Sequence, residues 1–364
     1  LCRISHSKSQ SELGAISLCS SGYLKLKNFV EISDKFLSSQ HLPASIIDLA
    51  ISRGVNPQKL VRGTGIFFED LNKPDALFSP AQVLKLIERS QYLIPGHDAS
   101  FLLGQRLIPS QLGPLSQALN HAKNISDYLQ ILGTYQARYN PFIRFSAYKQ
   151  DGYLHIQFSD IMGCGEHYPF LLEVLLTALH SGIKYLAEKR IQMRYQFKQK
   201  RPRHIQEYEE NLGFRVAFEH PTDQLSIKLE DLNIRFRNYS PLSRAQAIHE
   251  LKQDRRLNRI KPTFIQAVTE LQLKNQSMNQ ESCAQHMGLS TATFKRKLKQ
   301  HHLRYLEIQD LCFKQNTIRL LNHNNSTNEQ LASQLGFNDI ANFRRAFKRW
   351  FNMTPSEFKA RYQP

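Results

Sequence analysis

Over residues 24–135 apolar side chains recur every three or four positions, the spacing that lines one face of a helix. In "IIDLAISRG", Ile46, Ile47, Leu49, Ala50 and Ile51 run up to Gly54, so a helix is predicted that stops at the glycine. "SPAQVLKLIERSQYLIPG" offers Ser79 as a cap and Pro80 at the first helical position, with Val83, Leu84, Ile87 and Leu93 on one face. "GPLSQALNHAKNISDYLQILGTYQARY" predicts two helices joined near Asn124, with Ser126 capping the second.

The period then drops to two. "FIRFSAYKQDGYLHIQFSD" holds two alternating runs about Asp151-Gly152, a pair suited to the positive backbone angles of a tight hairpin. Leu154, Ile156 and Phe158 fall on one face of the second strand. "YPFLLEVLLTALHSGIKYLAEKR" predicts a long apolar helix. A strand around Met193, Tyr195 and Phe197, a short helix over 204–212 and strands at 214–219 and 225–236 follow. This is an α+β domain large enough for its own core and an internal cavity. The polar stretch 238–262 reads as a linker region, and everything after it has helical period.

Within the last 90 residues one small unit occurs twice. "CAQHMGLSTATFKRKLKQ" contains Ala284, Met287, Gly288, Leu289 and Ser290, and "LASQLGFNDIANFRRAFKRW" contains Ala332, Leu335, Gly336, Phe337 and Asn338. The order Ala-x-x-apolar-Gly-apolar-cap, repeated 48 residues apart, is that of a helix-turn-helix. A small residue lets two helices approach, glycine takes the left-handed turn, and the next apolar residue plugs the space between them. Ser290 and Asn338 are placed to cap the helices that follow, and Ser326 with Glu329 gives a capping-box pattern ahead of the second unit.

The second helix of each unit has two faces. Ile340, Phe343, Phe347 and Trp350 form one apolar stripe, while Asn342, Arg345 and Arg349 form another with Arg344 and Lys348 beside it. In the first unit Phe294 and Leu298 face inward, and Lys295, Arg296 and Lys299 face outward. Between the units "YLEIQDLCFKQNTIRLLNH" (305–323) can form one helix about 28 Å long at ~1.5 Å per residue. That length suits two helices set roughly one DNA turn, ~34 Å, apart.

Charge sharpens this picture. The 364-residue chain carries a net charge of +17, and from Pro241 onward there are 20 Lys and Arg against 9 Asp and Glu. The basic excess is concentrated in the C-terminal third, as expected for a polyanion-binding surface. No stretch approaches the ~18 apolar residues of a membrane span. Five cysteines (Cys2, Cys19, Cys164, Cys283, Cys312) without CxxC spacing fit a reducing compartment, hence the cytoplasm, and offer no zinc pattern. Residues 1–23 read as a disordered leader; the chain begins with Leu1 and its first methionine is Met162, which points to a non-standard or over-extended start.

"LASQLGF-ND-ANFRRAFKRWFNMTPSEFKARY" resembles the C-terminal signature of the AraC/XylS family of bacterial transcription regulators. More loosely, "LPASIIDLAISRGVNPQKL", "LGPLSQALNHAKNISDYLQIL" and "GFRVAFEHPTDQLSIKLEDL" are similar to the arabinose-binding-type sensor domain of one branch of that family. The resemblance implies an α+β N-terminal sensor domain at 24–240, a linker at 241–261, and an all-α DNA-binding domain at 262–364. The latter would hold two helix-turn-helix units, about 279–301 and 327–351, joined by a linker helix. It also implies that Ala292, Lys295 and Arg296, and Ala341, Asn342 and Arg345, read bases in the major groove. Thr291, Lys299, Arg344 and Lys348 are assigned to phosphates, which position but do not specify. Promoter DNA, a small-molecule effector of unknown identity, RNA polymerase and a second copy of the chain are the implied partners, and no membrane. This sequence departs from the family where glycine is usual, at His302 and Asn352, and in the linker helix at Phe313 and Thr317.

Other constellations point to no chemistry. Cys164, Glu166 and His167 in "GCGEHYP" lack a further pair of metal ligands, so no metal is expected. Gly63 and Gly65 in "RGTGIFFED" lack a phosphate-loop or dinucleotide fingerprint, and no catalytic set or cofactor motif is identifiable. Two alternatives to a ligand-responsive regulator follow from the same units. One is a DNA-repair alkyl transferase fused to a DNA-binding module, which requires an activated cysteine. The other is a sequence-neutral architectural DNA-binding protein. The effector-pocket walls are expected in the helix 168–189 and the hairpin 143–158, with Leu172 and Leu176 as the residues to disrupt.

Overall fold

The computed structural model describes residues 29–362 except 74, 136, 138, 254–260, 277 and 324–326, so the expected leader lies outside the described residues. The N-terminal domain opens with two short antiparallel strands, β1 (Leu37–Ser38) and β2 (Leu77–Phe78). Its helices are α1 (Leu42–Ser52), α2 (Pro57–Val61), α3 (Pro80–Leu93), α4 (Ala99–Arg106), α5 (Pro114–Asn120) and α6 (Ile125–Tyr135). Ser79 caps α3 as its sequence dictates: its Oγ accepts the Gln82 N–H while Gln82 Oε1 accepts the Ser79 N–H. At α6 the cap is Asn124, whose Oδ1 accepts the Asp127 N–H. Ser126 sits inside the first turn, too late to serve.

Strands β3 (Ile143–Gln150) and β4 (Tyr153–Asp160) form the expected hairpin, with Asp151 and Gly152 at φ 48° and 77°. Then come α7 (Tyr168–Leu186), β5 (Met193–Gln196), α8 (Ile205–Leu212), β6 (Val216–Ala217) and β7 (Asp223–Lys228). The sheet order is β3-β4-β7-β5-β6, antiparallel except between β5 and β6. β7 is therefore central and nearly all buried. The strand expected to reach 236 ends at Lys228, and Leu229–Asn233 instead forms a tight 3-10 turn with Leu232 tucked into the core.

Ile156 and Phe158 join the main core with Leu154 packed against it. Gln157, Gln224 and Ser226 are also buried, which alternation alone would have placed in water. Their hydrogen-bonding groups close on one another: Gln224 Nε2 donates to Gln196 Oε1 at 2.9 Å, and His155 Nδ1 lies 2.9 Å from Ser226 Oγ. A satisfied network of this kind removes most of the cost of burying amides.

Residues 241–253, within the expected linker, form helix α9 (Pro241–Gln253). Ala247 and Leu251, one turn apart, enter the main core, and Arg244 makes two hydrogen bonds to Asp127 at 2.6 and 2.8 Å. A two-residue stripe is too narrow to show as a period, which is why the segment reads as polar linker.

After residue 262 the chain is helical: α10 (Phe264–Lys274), α11 (Gln280–His286), α12 (Thr291–Gln300), α13 (Tyr305–His323), α14 (Asn328–Gln334), α15 (Ile340–Phe351) and α16 (Pro355–Tyr362). Two separate cores form there. Phe264, Val268, Cys283, Phe294 and Leu298 belong to the first, Leu331, Phe343, Phe347 and Trp350 to the second. Helix α13 enters both, with Tyr305, Ile308 and Cys312 in the first and Ile318 and Leu321 in the second. Among the described residues no helix is long and apolar enough to cross a membrane.

Candidate nucleic-acid interface

Each unit turns on a glycine with positive φ, Gly288 at 65° and Gly336 at 75°. A side chain there would be strained, so the turn requires glycine. The residue after each, Leu289 or Phe337, packs against its unit's core. Asn279 caps α11 and Ser290 caps α12, its Oγ accepting the Thr293 N–H at 3.2 Å.

Two caps differ from expectation by one residue. α15 is capped by Asp339, whose carboxylate accepts the Ala341 and Asn342 N–H groups, while Asn338 stays outside the helix. A carboxylate at the helix's positive end is favoured over an amide by charge. The capping box of α14 pairs Thr327 with Gln330 rather than Ser326 with Glu329, and Ser326 lies outside the described residues.

The apolar stripe of α15 is buried as read: Phe343 and Phe347 are fully covered, with Trp350 close behind and Ile340 half-buried. The polar side stands in water. Ala341, Asn342, Arg344, Arg345 and Lys348 are exposed, and Arg345 Nη2 donates to Asn342 Oδ1 at 2.7 Å, setting the two side chains together. On α12, Ala292, Lys295, Arg296 and Lys299 are exposed and Thr291 is half-buried. The two helices thus bring the ten residues assigned to bases and phosphates onto outward faces, five on each.

Arg349 behaves differently from its neighbours. Its guanidinium donates two hydrogen bonds to Asp310 of α13, at 2.7 and 3.1 Å, and Trp350 Nε1 donates a third at 2.7 Å. Asp310 therefore fastens α15 to α13, a role no sequence signal marks, since it is an acid on the polar side of a helix. Phe313 stacks on Trp350 with centroids 5.3 Å apart, and buried Thr317 donates to the Phe313 carbonyl at 2.7 Å. Phe313 thus fits the second unit, while the Thr317 bond is internal to α13. His302 and Asn352 take φ values of 52° and 54°, the conformation glycine would supply, in residue types that tolerate it.

In the N-terminal domain a narrow cleft with a cavity volume of about 40 Å³, open to solvent at one side, lies against α7. Leu171, Val174, Leu175 and Ala178 line it from α7, facing Leu107, Ile108, Leu112, Leu115 and Leu132, with Tyr139 and Asn140 also in the wall. Leu172 and Leu176 are buried elsewhere, and the hairpin 143–158 takes no part in the lining. Helix α7 lines this cleft through the residues on either side of Leu172 and Leu176.

The described cysteines are free and buried, and burial pushes the thiols up, Cys283 to about 11 and Cys312 to about 12, with Cys164 raised also. A thiol so raised is a poor nucleophile at neutral pH. No group of three or more His, Cys, Asp or Glu among the described residues could hold a metal ion.

Residues 54–236 match the arabinose-binding domain of AraC transcription regulator, N-terminal, and residues 283–361 match a helix-turn-helix domain. The chain is 24% identical over 318 residues to the ornithine utilization regulator of Pseudomonas aeruginosa, covering 86% of this chain and 94% of that one. It is 29% identical over 76 residues to the HTH-type transcriptional regulator VqsM of the same organism, covering 21% and 23% of the two chains. Among solved structures, that of the transcriptional regulator CdpR from Pseudomonas aeruginosa superposes with a TM-score of 0.41 at 18% identity, over 87% of this chain and 97% of the other.

Proposed function

The chain belongs to the AraC family of transcription regulators, and from that premise we propose that it reads a specific promoter sequence under the control of a small molecule held in its N-terminal domain. The observation that carries this reading is the pairing of α12 and α15 on one spine. Each buries its aromatic side in its own core, while Lys295, Arg296 and Lys299 of α12 and Asn342, Arg344, Arg345 and Lys348 of α15 stand in solvent. A helix ~10 Å across enters the major groove, where arginine pairs with guanine and asparagine with adenine.

Sequence-specific and sequence-neutral binding separate on one variant. Arg345→Ala is expected to lose ~1–3 kcal/mol at a single base step while other positions keep their discrimination. A quantitative footprint against substituted operator DNA measures this. Uniform weakening over all sequences would leave the architectural reading in its place.

The effector we propose is small and apolar. No charged side chain is among those lining the cleft; burying an unpaired neutral amide in apolar surroundings costs ~2–7 kcal/mol, and an unpaired charge far more. This sets the chain apart from what the name of the ornithine utilization regulator suggests for that protein, since ornithine is charged at both ends. Benzene and 1-octanol serve as probes. At a hundredfold excess over Kd a ligand stabilises by about 2.7 kcal/mol, which raises Tm by several degrees. Ala178→Leu fills the cleft and is expected to abolish the rise in a folded protein; no rise in the unaltered protein with either probe removes this site.

With this reading we assign the chain to the bacterial cytoplasm, where promoter DNA is. RNA polymerase and a second copy of the chain are the partners proposed for transcriptional output.

A further inference from the structure

The two domains touch at one end of the first reading helix. Loop 161–164 leaves β4 and is fixed from within: the Asp160 carboxylate accepts the backbone N–H groups of Met162, Gly163 and Cys164 at 2.9, 2.8 and 2.6 Å. The loop so shaped meets the C-terminal end of α12. The Met162 carbonyl lies 2.7 Å from Nδ1 of the buried His301, and a Cβ on Gly163 would overlap the His301 carbonyl oxygen. Gly163 also has φ 81°, so the position admits no side chain on either ground.

Around this contact a second layer closes. Lys297 pairs with Glu31 and lies over the Phe29 ring. Residue Val30 is bound on both sides of its peptide, its N–H to the Pro262 carbonyl and its carbonyl to the Phe264 N–H, each at 2.9 Å. Thr263 Oγ1 donates to the Ile161 carbonyl at 2.5 Å, and Arg144 pairs with Glu270 of α10 at 3.3 Å.

Helix geometry decides what this grip can do. Lys297 and His301 are one turn apart, on the same side as the buried Phe294. Ala292, Lys295, Arg296 and Lys299, the DNA-facing residues, remain exposed. The grip is on the back of the helix, so the N-terminal domain can stay docked while α12 occupies a groove. On its other side the loop runs through the short turn Gly165–His167 directly into α7, and Leu171 and Val174, in the first two turns of α7, line the cleft.

We infer that loop 161–164, closed on His301 and flanked by the Glu31–Lys297 pair, is the relay by which the N-terminal domain sets the orientation of the first reading helix. This rests on the reading of α12 as a DNA-binding helix and of the cleft as the effector site. A shift of α7 against a bound molecule is carried by the loop to α12, whereas among the described residues α15 has its own core, tied to α13 through Asp310. The coupling is reciprocal, so DNA on α12 must be felt in the loop.

The test compares full-length protein with Gly163→Val, which forces the loop off His301, and Lys297→Met, which alters neither the loop nor the DNA-facing residues. Without DNA, hydrogen exchange of amides 297–303 is expected to quicken about tenfold or more in both variants, with α15 unchanged. With the protein's own upstream DNA bound, exchange at 161–164 is expected to slow in the unaltered protein and to keep its DNA-free rate in the variants, whose footprints persist. Equal exchange over 297–303 in all three proteins overturns the relay, as does a DNA-induced slowing at 161–164 that survives both substitutions. Should none of the three give a footprint while the DNA-free difference stands, the DNA-reading assignment of α12 fails and only the interdomain contact is retained.

Discussion

Phe347→Ala is expected to unfold the second helix-turn-helix unit and leave the rest of the protein standing. The Phe347 ring is fully buried, with centroids 4.6 Å from Phe351, 5.6 Å from Phe358 and 5.7 Å from Phe343. It is the hub of an aromatic cluster that joins α15 to α16. Truncating a buried phenylalanine costs about 3–5 kcal/mol, the lost transfer energy plus the cavity. Whole domains are stable by only ~5–15 kcal/mol, and a unit this small lies at the lower end. The loss stays local because the first unit has its own core. Hydrogen exchange resolved by segment should show α14 to α16 open and α10 to α12 protected. In a footprint one of two protected grooves should vanish. A variant whose second unit exchanges at the original rate would mean that α13 and Trp350 hold the unit without the phenylalanine.

Acid is expected to remove about 3 kcal/mol of stability through His180 alone, between pH 6.5 and pH 4. The side chain lies on α7 with Nδ1 2.8 Å from Tyr195 Oη of β5. Burial, assisted by Lys184 one turn along the helix, lowers its pKa from 6.5 to about 4. Above pH 6.5 the ring is neutral in folded and unfolded chains and the pH has no leverage. As pH falls the unfolded chain gains a proton that the folded one refuses, so stability declines until the folded ring titrates near 4. Buried Glu173 acts in the opposite sense. Burial raises its carboxyl above the usual range, so it favours the folded state as acid is added. The difference between the unaltered protein and His180→Gln isolates the histidine, since the amide can still reach Tyr195. Urea unfolding at pH 7.5, 5.5 and 4 should show the two proteins converging and then crossing. Parallel curves over that range would show that His180 accepts a proton in the folded protein at its ordinary pKa.

What the sequence discloses and what it conceals divide along a physical line. The paired units are legible because each feature is local: glycine at the turn, a capping oxygen, aromatics three and four apart. The caps miss by one residue where two adjacent polar residues compete, Asn338 with Asp339 and Ser326 with Thr327, since capping turns on sub-ångström placement. The hairpin at 151–152 is legible for the same local reason. The centre of the sheet is not. β7 pairs with β4 from some 70 residues away, and its Asp223, Gln224 and Ser226 look like surface until their partners are known. Arg349 reads as one more cation on a basic face, because nothing in α15 reveals Asp310. The contact of Gly163 with His301 leaves still less trace, two residues 138 positions apart with no common pattern.

Helix α13 runs unbroken from Tyr305 to His323 with one end in each core, and this bears on how the chain and its targets can evolve together. An inserted or deleted residue in that helix would swing the second unit by about 100° and slide it by ~1.5 Å. A one-base-pair change in the gap between half-sites turns the second groove by about 35° and moves it by ~3.4 Å. No small edit in the protein answers a small edit in that gap. On the proposed reading of DNA by both α12 and α15, operators should therefore diverge by base substitution inside two windows of fixed separation, and a promoter that gains or loses one base between them should fall out of the regulon in a single step.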